Sequence, residues 1–194
     1  MVPEDDESAT APPTSRPKPA TRRAPSLVVV NTGDGKGKTT AAMGVVLRSL
    51  ERGWPTSVYQ FVKSGRWRSG EVRMLSSLGA EWHLMGDGFT WDSKDLERSA
   101  ELARLEWQEA RATIEAGEHR LVLLDEVTYP MNWGWIDTAQ VVATILHRPG
   151  PVNVVATGRQ APPALVEIAD TVTEMRNVKH AYERGIRAAR GIDF

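Results

Sequence analysis

The sequence predicts an α/β fold in which a mostly parallel sheet carries helices on both faces. Short apolar runs with the length of buried strands recur along the chain, among them residues 27–30, 120–124 and 152–156. Segments with helical periodicity separate these runs, and strands that alternate with helices are typical of parallel sheets covered on both sides. Ligands of such sheets bind beyond the carboxyl ends of the strands, so every loop that follows a strand is a candidate wall of a binding site.

Composition limits the classes of function that the chain can have. Its 194 residues suffice for one domain with a substantial core, and 24 basic residues are balanced by 25 acidic ones. This balance gives no overall attraction to nucleic acid or to acidic membranes, so neither is expected as a partner. The absence of cysteine excludes disulfides, thiolate zinc sites and a cysteine nucleophile. An acidic start and the lack of any run of about 18 apolar residues predict a cytoplasmic protein.

The first 26 residues differ in composition from the rest of the chain. Six of the 12 prolines occur there, together with the acidic run 4–7 and several basic residues, and apolar side chains are nearly absent. Such a segment buries too little apolar surface to offset the entropy lost on ordering. We therefore predict a disordered, proline-rich tail at residues 1–26 and a folded domain at residues 27–194.

A glycine-rich turn follows the first apolar run and carries the strongest functional signal. Its nine residues are predicted to bind a nucleotide: Thr32, Gly33, Asp34, Gly35, Lys36, Gly37, Lys38, Thr39 and Thr40. A strand before the turn and a helical pattern after it are the context of a Walker A motif, or P-loop, although Thr32 stands where the motif has its first glycine. Backbone N–H groups and the helix N-terminus attract phosphate, Lys38 supplies a charge for the outer phosphates, and the Thr39 hydroxyl can bind Mg²⁺. These features predict a P-loop NTPase-like (RecA-like) fold that binds a nucleoside triphosphate.

The remaining elements follow from apolar runs and from stop signals such as Gly53 and Pro55 after the first helix. Further strands are predicted at residues 56–61, 80–84, 120–124, 152–156 and 171–175. Helices are predicted at residues 71–78, 94–116, about 137–148 and 163–168. In the long helix, apolar residues spaced three and four apart form one stripe that includes Trp107, so Trp107 is expected in the core.

Two further loops that follow strands are predicted to complete the site. The run LVLLDE at 121–126 has the form of a Walker B strand, whose carboxylate can hold Mg²⁺ directly or through water, opposite Thr39. The pattern alone leaves open whether Asp125 or Glu126 contacts the metal. Arg159 follows the fifth strand and is a candidate phosphate contact.

Other loops admit more than one interpretation. Aromatic residues follow the third strand (Phe89 and Trp91) and the fourth (Tyr129, Trp133 and Trp135). They suit either a large, flat, partly apolar ligand or a satellite core beneath long loops. The basic loop at 63–68 suits either single-stranded nucleic acid or a solvated loop that faces phosphates or carboxylates. The four histidines lack metal-ligand spacing and are expected to be structural.

Taken in order, these motifs resemble those of the P-loop type of ATP:corrinoid (cob(I)alamin) adenosyltransferases. The resemblance covers roughly residues 27–194. It rests on TGDGKGKTT at 32–40, QFVK at 60–63, GFTW at 88–91, LDEVTY at 124–129, TGR at 157–159, VKHA at 178–181 and GIDF at 191–194. A P-loop alone is shared by many families, whereas this set in this order is specific.

The resemblance implies an enzyme that transfers the 5′-deoxyadenosyl group of ATP to the Co(I) of a reduced corrinoid and releases triphosphate. It implies ATP as co-substrate, Mg²⁺ as cofactor, Glu126 as the Mg²⁺ carboxylate, and Lys38, Phe89 and Trp91 as catalytic residues. Phe89 and Trp91 match the aromatics that pack beneath the corrin and favour loss of the lower cobalt ligand. The implied partners are a second copy of the chain and a cobalt reductant such as a flavin-dependent reductase or a flavodoxin.

The sequence departs from the family pattern at two places. Asp34 stands where members often carry Asn, which places a negative charge near the phosphates unless the side chain turns outward. Members often have an N-terminal helix that closes over the partner's site, whereas residues 1–26 are proline-rich and have little helix potential. The residues alone also leave room for a P-loop kinase or ATPase that releases ADP, and for a nucleotide-dependent nucleic-acid binder that uses residues 63–68.

Overall fold

In the computed structural model, which describes residues 22–62, 69–84 and 96–193, six strands form one sheet. The strands run in the order β3-β2-β4-β5-β1-β6, and every neighbouring pair is parallel. Their bounds are β1 (Val28–Thr32), β2 (Thr56–Gln60), β3 (Glu81–His83), β4 (Leu121–Asp125), β5 (Asn153–Thr157) and β6 (Thr171–Glu174). The predicted α/β fold with a parallel sheet is confirmed.

In the described part of the chain, six α-helices connect the strands, and a short 3₁₀ helix (Tyr182–Arg184) lies in the C-terminal segment. The α-helices are α1 (Lys38–Glu51), α2 (Gly70–Ser77), α3 (Leu96–Ala116), α4 (Thr128–Asn132), α5 (Thr138–Leu146) and α6 (Pro163–Glu167). Side chains cap two of their N-termini: Ser69 Oγ accepts from the N–H of Val72, and Asp137 Oδ1 accepts from the N–H of Ala139. No helix within the described ranges is long and apolar enough to cross a membrane.

Two apolar cores lie on opposite faces of the sheet, because side chains alternate along each strand. On β4, Val122 and Leu124 pack into the core formed with α3, α5 and α6, whereas Leu121 and Leu123 pack into the core formed with α1 and α2. Trp107 of α3 is 2 % exposed and belongs to the first core, as the helical stripe predicted. Helices therefore cover both faces.

The strand order places the carboxyl ends of β1, β4 and β5 side by side. β5 pairs with both β1 and β4, so the loops that follow these three strands meet at one edge. The glycine-rich turn, the two acids after β4 and the Arg159 loop are therefore neighbours in space. Parallel sheets bind their ligands at this edge.

The sequence predicted neither the short helix α4 nor the 3₁₀ helix in the C-terminal segment. Helix α4 follows the two acids and contains Pro130, which is tolerated because the first turn of a helix has no intrahelical partner for that N–H. The long helix was predicted from residue 94; α3 is described from Leu96, and residue 94 lies outside the described ranges.

The division of the chain into a tail at 1–26 and a domain at 27–194 stays a prediction, since residues 1–21 lie outside the described ranges. Ser26 is buried, and its hydroxyl accepts a hydrogen bond of 3.0 Å from Arg148 Nη2. Val28 is anchored next to it, because its N–H donates to Asp170 Oδ2 at 2.8 Å. These hydrogen bonds hold the chain in place just before β1 and at its first residue.

Candidate active site

The glycine-rich turn lies against the segment that follows β6. The N–H of Gly35 donates a hydrogen bond of 2.7 Å to the carbonyl oxygen of Met175, and the N–H of Met175 donates to the carbonyl of Thr32 at 2.8 Å. A Cβ on Gly33 would come within 2.4 Å of the Met175 oxygen, and one on Gly35 within 2.6 Å of the Arg176 oxygen. Gly33 also has a φ of +92°, a conformation that favours glycine. The backbone of the turn is in contact with the backbone of Met175 and Arg176, so positions 33 and 35 have no room for a side chain.

Lys38 opens α1, and its ammonium group folds back over the turn that precedes it. Its Nζ donates hydrogen bonds to the carbonyl oxygens of Gly33 at 2.6 Å and of Gly35 at 2.7 Å. Burial, followed by the nearby charge of Arg159, lowers the pKa of the Lys38 amine, although neighbouring carboxylates act in the opposite direction. An anionic phosphate in place of the two carbonyls would favour the charged form of this amine.

Asp125, the last residue of β4, is fully buried and accepts hydrogen bonds from three other elements. The hydroxyls of Thr39 in α1 and of Thr157 in β5 donate to its Oδ1 at 2.9 and 2.7 Å. The amide of Gln60, at the end of β2, donates to its Oδ2 at 2.8 Å. Because Thr39 gives its one hydroxyl proton to Asp125, the lone pairs of that oxygen stay available to a cation.

Glu126 has different surroundings from the acid that precedes it. Its backbone φ is +62°, a left-handed conformation that residues with a side chain seldom adopt. Its N–H donates a hydrogen bond of 2.9 Å to Thr157 Oγ1, which supports this turn. The two carboxylates therefore have different surroundings. Asp125 belongs to the buried hydrogen-bond network, whereas Glu126 lines a cavity that Thr39 also lines. Strain of this kind is often found at functional sites.

The loop after β5 carries Arg159 and is held against α4. Thr128 Oγ1 donates a hydrogen bond of 2.7 Å to the carbonyl oxygen of Arg159. A Cβ on Gly158, whose φ is +144°, would lie 2.0 Å from the same Thr128 oxygen, so this position requires glycine. The Arg159 guanidinium lies 3.9 Å from the Asp34 carboxylate, and the Asp34 side chain is 70 % exposed. The Asp34 carboxylate therefore faces Arg159 at the site and is largely open to solvent.

These elements enclose a cavity of about 350 Å³ at the carboxyl edge of the sheet. The predicted site residues that line it are Asp34, Gly35, Lys36, Gly37, Lys38, Thr39, Thr40, Glu126 and Arg159. Thr32 and Gly33 line a separate cavity of about 240 Å³, where the Thr32 hydroxyl accepts a hydrogen bond of 3.0 Å from the N–H of Ala161. The threonine at the first glycine position thus links β1 to the loop after β5.

Seven further residues line the cavity of about 350 Å³, and the sequence pattern names only one of them, Tyr129, as a possible ligand contact. They are Met43, Gln60, Ser69, Glu71, Tyr129, His180 and Asp193. Gln60, His180 and Asp193 stand in motifs that carried the family resemblance, which was the one signal that could have pointed to them. Asp193 forms an ion pair with Lys36 of the turn, so the C-terminal segment reaches the phosphate-binding loop.

The aromatic residues after β4 contact one another, and one of them, Tyr129, lines the same cavity. The ring centroids of Tyr129 and Trp133 are 5.4 Å apart, and those of Trp133 and Trp135 are 4.7 Å apart. Tyr129 lines the cavity and Trp133 is 39 % exposed, so this group is not fully enclosed. Phe89 and Trp91, like the basic loop at 63–68, lie outside the described residues, and their roles stay predictions.

Fold and site together define a P-loop nucleotide-binding protein. The first strand of a parallel sheet runs through a glycine-rich turn into a helix, and a hydroxyl of that helix meets an acid at the end of another strand. The profile of the family described as ATP:corrinoid adenosyltransferase BtuR/CobO/CobP matches residues 24–194. The chain belongs to this family.

Characterised relatives agree with this assignment. The chain is 40 % identical over 168 residues to a corrinoid adenosyltransferase of Escherichia coli (strain K12). The aligned region covers 87 % of this chain and 85 % of the relative. The chain is 39 % identical over 170 residues to a corrinoid adenosyltransferase of Pseudomonas aeruginosa, with coverage of 87 % and 83 %. Identity to the corrinoid adenosyltransferase CobA of Salmonella typhimurium is 37 % over 168 residues, with coverage of 87 % and 85 %.

Membership confirms the resemblance and the enzyme class that it implied. The chain is an adenosyltransferase that uses ATP and a corrinoid. This assignment replaces the two other functions that the residues alone allowed. Those were a kinase or ATPase of another pathway and a nucleic-acid binder. The roles of individual residues are a separate question.

Proposed function

We propose that this chain catalyses attack of a corrinoid Co(I) on the 5′ carbon of ATP within the cavity described above, in adenosylcobalamin synthesis or salvage. The cobalt electron pair forms the Co–C bond, the C5′–O bond breaks, and its electrons leave with triphosphate. Such an attack requires no general base, so the protein acts by positioning ATP and by neutralising the departing triphosphate. The observation that supports this proposal is the single cavity that the glycine-rich turn, Glu126 and Arg159 line together.

Lys38 is the proposed catalytic cation. Its ammonium group lies over the turn, where it donates hydrogen bonds to the carbonyl oxygens of Gly33 and Gly35. Rotation of a flexible side chain is enough to transfer it to a phosphate oxygen. Arg159 adds a second cation to the lining of the cavity, and the turn supplies backbone N–H groups.

The residues present fit a Mg²⁺ ion that arrives with the nucleotide. Mg²⁺ takes oxygen ligands and is usually held by one or two protein groups together with phosphates and water. Thr39 and Glu126 both line the cavity and are the proposed ligands, while Asp125 holds the Thr39 hydroxyl in place. Bound there, the ion would neutralise charge on the triphosphate.

Phe89 and Trp91 are proposed to lie beneath the corrin, a role taken from the family resemblance. Among the described aromatic residues, Tyr129 lines the cavity and packs against Trp133, which contacts Trp135, so a partly apolar surface leads away from it. A flat ligand with apolar edges would bury such a surface.

The chain is further proposed to act as a homodimer in the cytoplasm, supplied with electrons by a flavin-dependent reductase or a flavodoxin. Apolar side chains of the C-terminal segment are largely exposed, Val178 by 92 % and Ile192 by 85 %, and a second copy would cover such surface. Sedimentation of the full chain measures this: a monomer at micromolar concentration contradicts the dimer.

The proposed function is tested by an anaerobic reaction of the full chain with ATP and a chemically reduced corrinoid. The expected result is the visible spectrum of the alkylated corrinoid together with an equal amount of triphosphate. Thr39→Ala should abolish transfer, whereas Thr39→Ser, which keeps the hydroxyl, should retain much of it. Release of ADP instead of triphosphate contradicts the reaction, and full activity of Thr39→Ala contradicts the site.

A further inference from the structure

A chain of hydrogen bonds runs along the carboxyl edge of the sheet and ends at the proposed magnesium site. It begins at Trp82 in β3, whose Nε1 donates to Gln60 Oε1 at 3.2 Å. Gln60 Nε2 then donates to Asp125 Oδ2 at 2.8 Å, and Asp125 Oδ1 accepts from Thr39 at 2.9 Å. The chain thus crosses from β3 through β2 and β4 to the start of α1.

The orientation of the Gln60 amide in this chain is fixed by chemistry. An indole N–H can only donate, so its partner must be the amide oxygen of Gln60. An ionised carboxylate can only accept, so Asp125 must face the amide nitrogen. Trp82 therefore selects the one amide orientation in which Gln60 supports Asp125, and the opposite orientation would set an oxygen against the carboxylate.

The hydrogen bonds that orient the Gln60 amide lie away from bulk water. Gln60 is 3 % exposed and Asp125 is fully buried, so bulk water does not readily replace either bond. Trp82 is partly buried against the core formed with α1 and α2, which fixes its ring. Gln60 also lines the nucleotide cavity, so the chain of bonds lies in the wall of the site.

We propose that Trp82, acting through Gln60, is a positioning residue for the metal-dependent binding of ATP. It holds the Asp125 carboxylate in the orientation that accepts the Thr39 proton, and thereby leaves the Thr39 oxygen free for Mg²⁺. This inference rests on the proposed function, in which Thr39 and Glu126 bind the ion.

The chain offers a matched control for the test. Trp107 also donates its indole N–H to a glutamine, Gln140 Oε1, at 2.6 Å, but it does so between α3 and α5. Trp82→Phe and Trp107→Phe each remove one indole–amide hydrogen bond and keep an aromatic ring. Only the first removes a bond that leads to Thr39.

The measurement is the Kd of ATP by calorimetry, once with excess Mg²⁺ and once with EDTA. Trp82→Phe should raise the Kd about fivefold in Mg²⁺, as expected for one hydrogen bond, and leave it unchanged in EDTA. Trp107→Phe should change neither value. Gln60→Met should reproduce the Mg²⁺-specific loss, and adding Trp82→Phe to it should cause no further loss, because both act through one path. Since Gln60→Met leaves the tryptophan in place, it also serves if Trp82→Phe folds poorly.

Two results overturn the inference: an unchanged Kd in Mg²⁺ for Trp82→Phe and Gln60→Met, or an equal loss with Mg²⁺ and with EDTA. Failure of the proposed function is distinguished by Thr39→Ala and Glu126→Gln. If these two lose Mg²⁺-dependent binding while Trp82→Phe does not, the metal site stands and only the positioning role fails. If none of them changes the Mg²⁺ dependence, the proposed metal site fails as well.

Discussion

The Nζ of Lys38 donates a hydrogen bond of 2.6 Å to the carbonyl oxygen of Gly33, five residues earlier in the same turn. A phosphate oxygen of bound ATP would replace this carbonyl as the partner of the ammonium group. Such an exchange adds little to ground-state affinity. The gain comes when negative charge builds up on the departing triphosphate, which a carbonyl partner cannot match.

Lys38→Ala should consequently lower kcat much more than it raises the KM for ATP. We expect kcat to fall at least about 100-fold, the loss usual for a donor to a developing anion, and KM to rise less than about tenfold. Steady-state kinetics with Co(I) corrinoid measure both constants. A rise in KM with unchanged kcat would mean that Lys38 only binds the nucleotide.

The two acids after β4 should respond differently to neutralisation. Glu126→Gln should raise the Mg²⁺ concentration required for activity more than Asp125→Asn does, because Glu126 lines the cavity. Asp125→Asn should instead lower the free energy of unfolding by about 1–3 kcal/mol, since it places an amide among three buried donors. Mg²⁺ titrations and urea denaturation of both variants measure the two effects. A larger Mg²⁺ shift for Asp125→Asn would assign the metal to the other acid.

Gly158→Ala should destabilise the chain by about 2–4 kcal/mol, because its methyl group would overlap the Thr128 hydroxyl and displace the Arg159 loop. Gly134→Ala is the matched control. Gly134 also has a positive φ, +70°, but nothing lies within 4 Å of an added Cβ, so a cost of about 1 kcal/mol is expected. Urea denaturation compares them, and equal losses would mean that the backbone conformation alone accounts for the effect.

The free energy of unfolding should fall at alkaline pH because the Tyr59 phenol loses its proton. Burial raises the pKa of the Tyr59 phenol above its usual value of 10.0, and its hydroxyl shares a hydrogen bond of 2.7 Å with Thr113. The folded chain therefore holds this proton more tightly than the unfolded chain. The resulting stabilisation is complete below pH 10 and is lost as pH rises through the raised pKa. Urea denaturation from pH 8 to 11 should show a steeper decline for the wild type than for Tyr59→Phe; parallel declines would contradict this role.

Phe89 and Trp91 separate a corrin-binding role from a packing role. If they favour loss of the lower cobalt ligand, Phe89→Ala and Trp91→Ala should lose much more activity in an assay from Co(II) with a reductant than in one from Co(I). ATP affinity should change little, because neither residue belongs to the glycine-rich turn. Thermal unfolding of each variant is the control. Equal losses in both assays with a matching fall in Tm, corresponding to about 3–5 kcal/mol for a buried ring, would indicate packing.

The sequence predicted the six strands that the structure describes; β1, β4 and β5 are short apolar runs, whereas β6, with the sequence TVTE, is more polar and exposed along its length. The sequence did not predict α4, since Pro130 is a poor helix former and its place in a first turn depends on where the helix begins. The ends of the strands differ by one or two residues from the prediction, as at β4, which was predicted to end at residue 124 and ends at Asp125. Strand ends depend on pairing partners that a local pattern does not contain.

The candidate site also has parts that the sequence predicted and parts that it did not. The glycines, Lys38, Thr39 and the two acids form local motifs whose chemistry can be recognised from spacing alone. The support of Asp125 by Gln60 and Trp82, and the contact of Gly35 with Met175, join residues far apart in the chain. Nothing in the local pattern of either partner marks such a contact, so these features needed the structure.

The bracing of the turn by the segment after β6 bears on the order of events during synthesis. The turn is synthesised before β5 and β6, the partners of β1, and before Asp193, the partner of Lys36. At usual rates of translation this interval is on the order of ten seconds. For that time the nascent chain has its phosphate-binding motif but not the contacts that shape it, so we expect ATP to stabilise the assembled sheet rather than the first half of the chain.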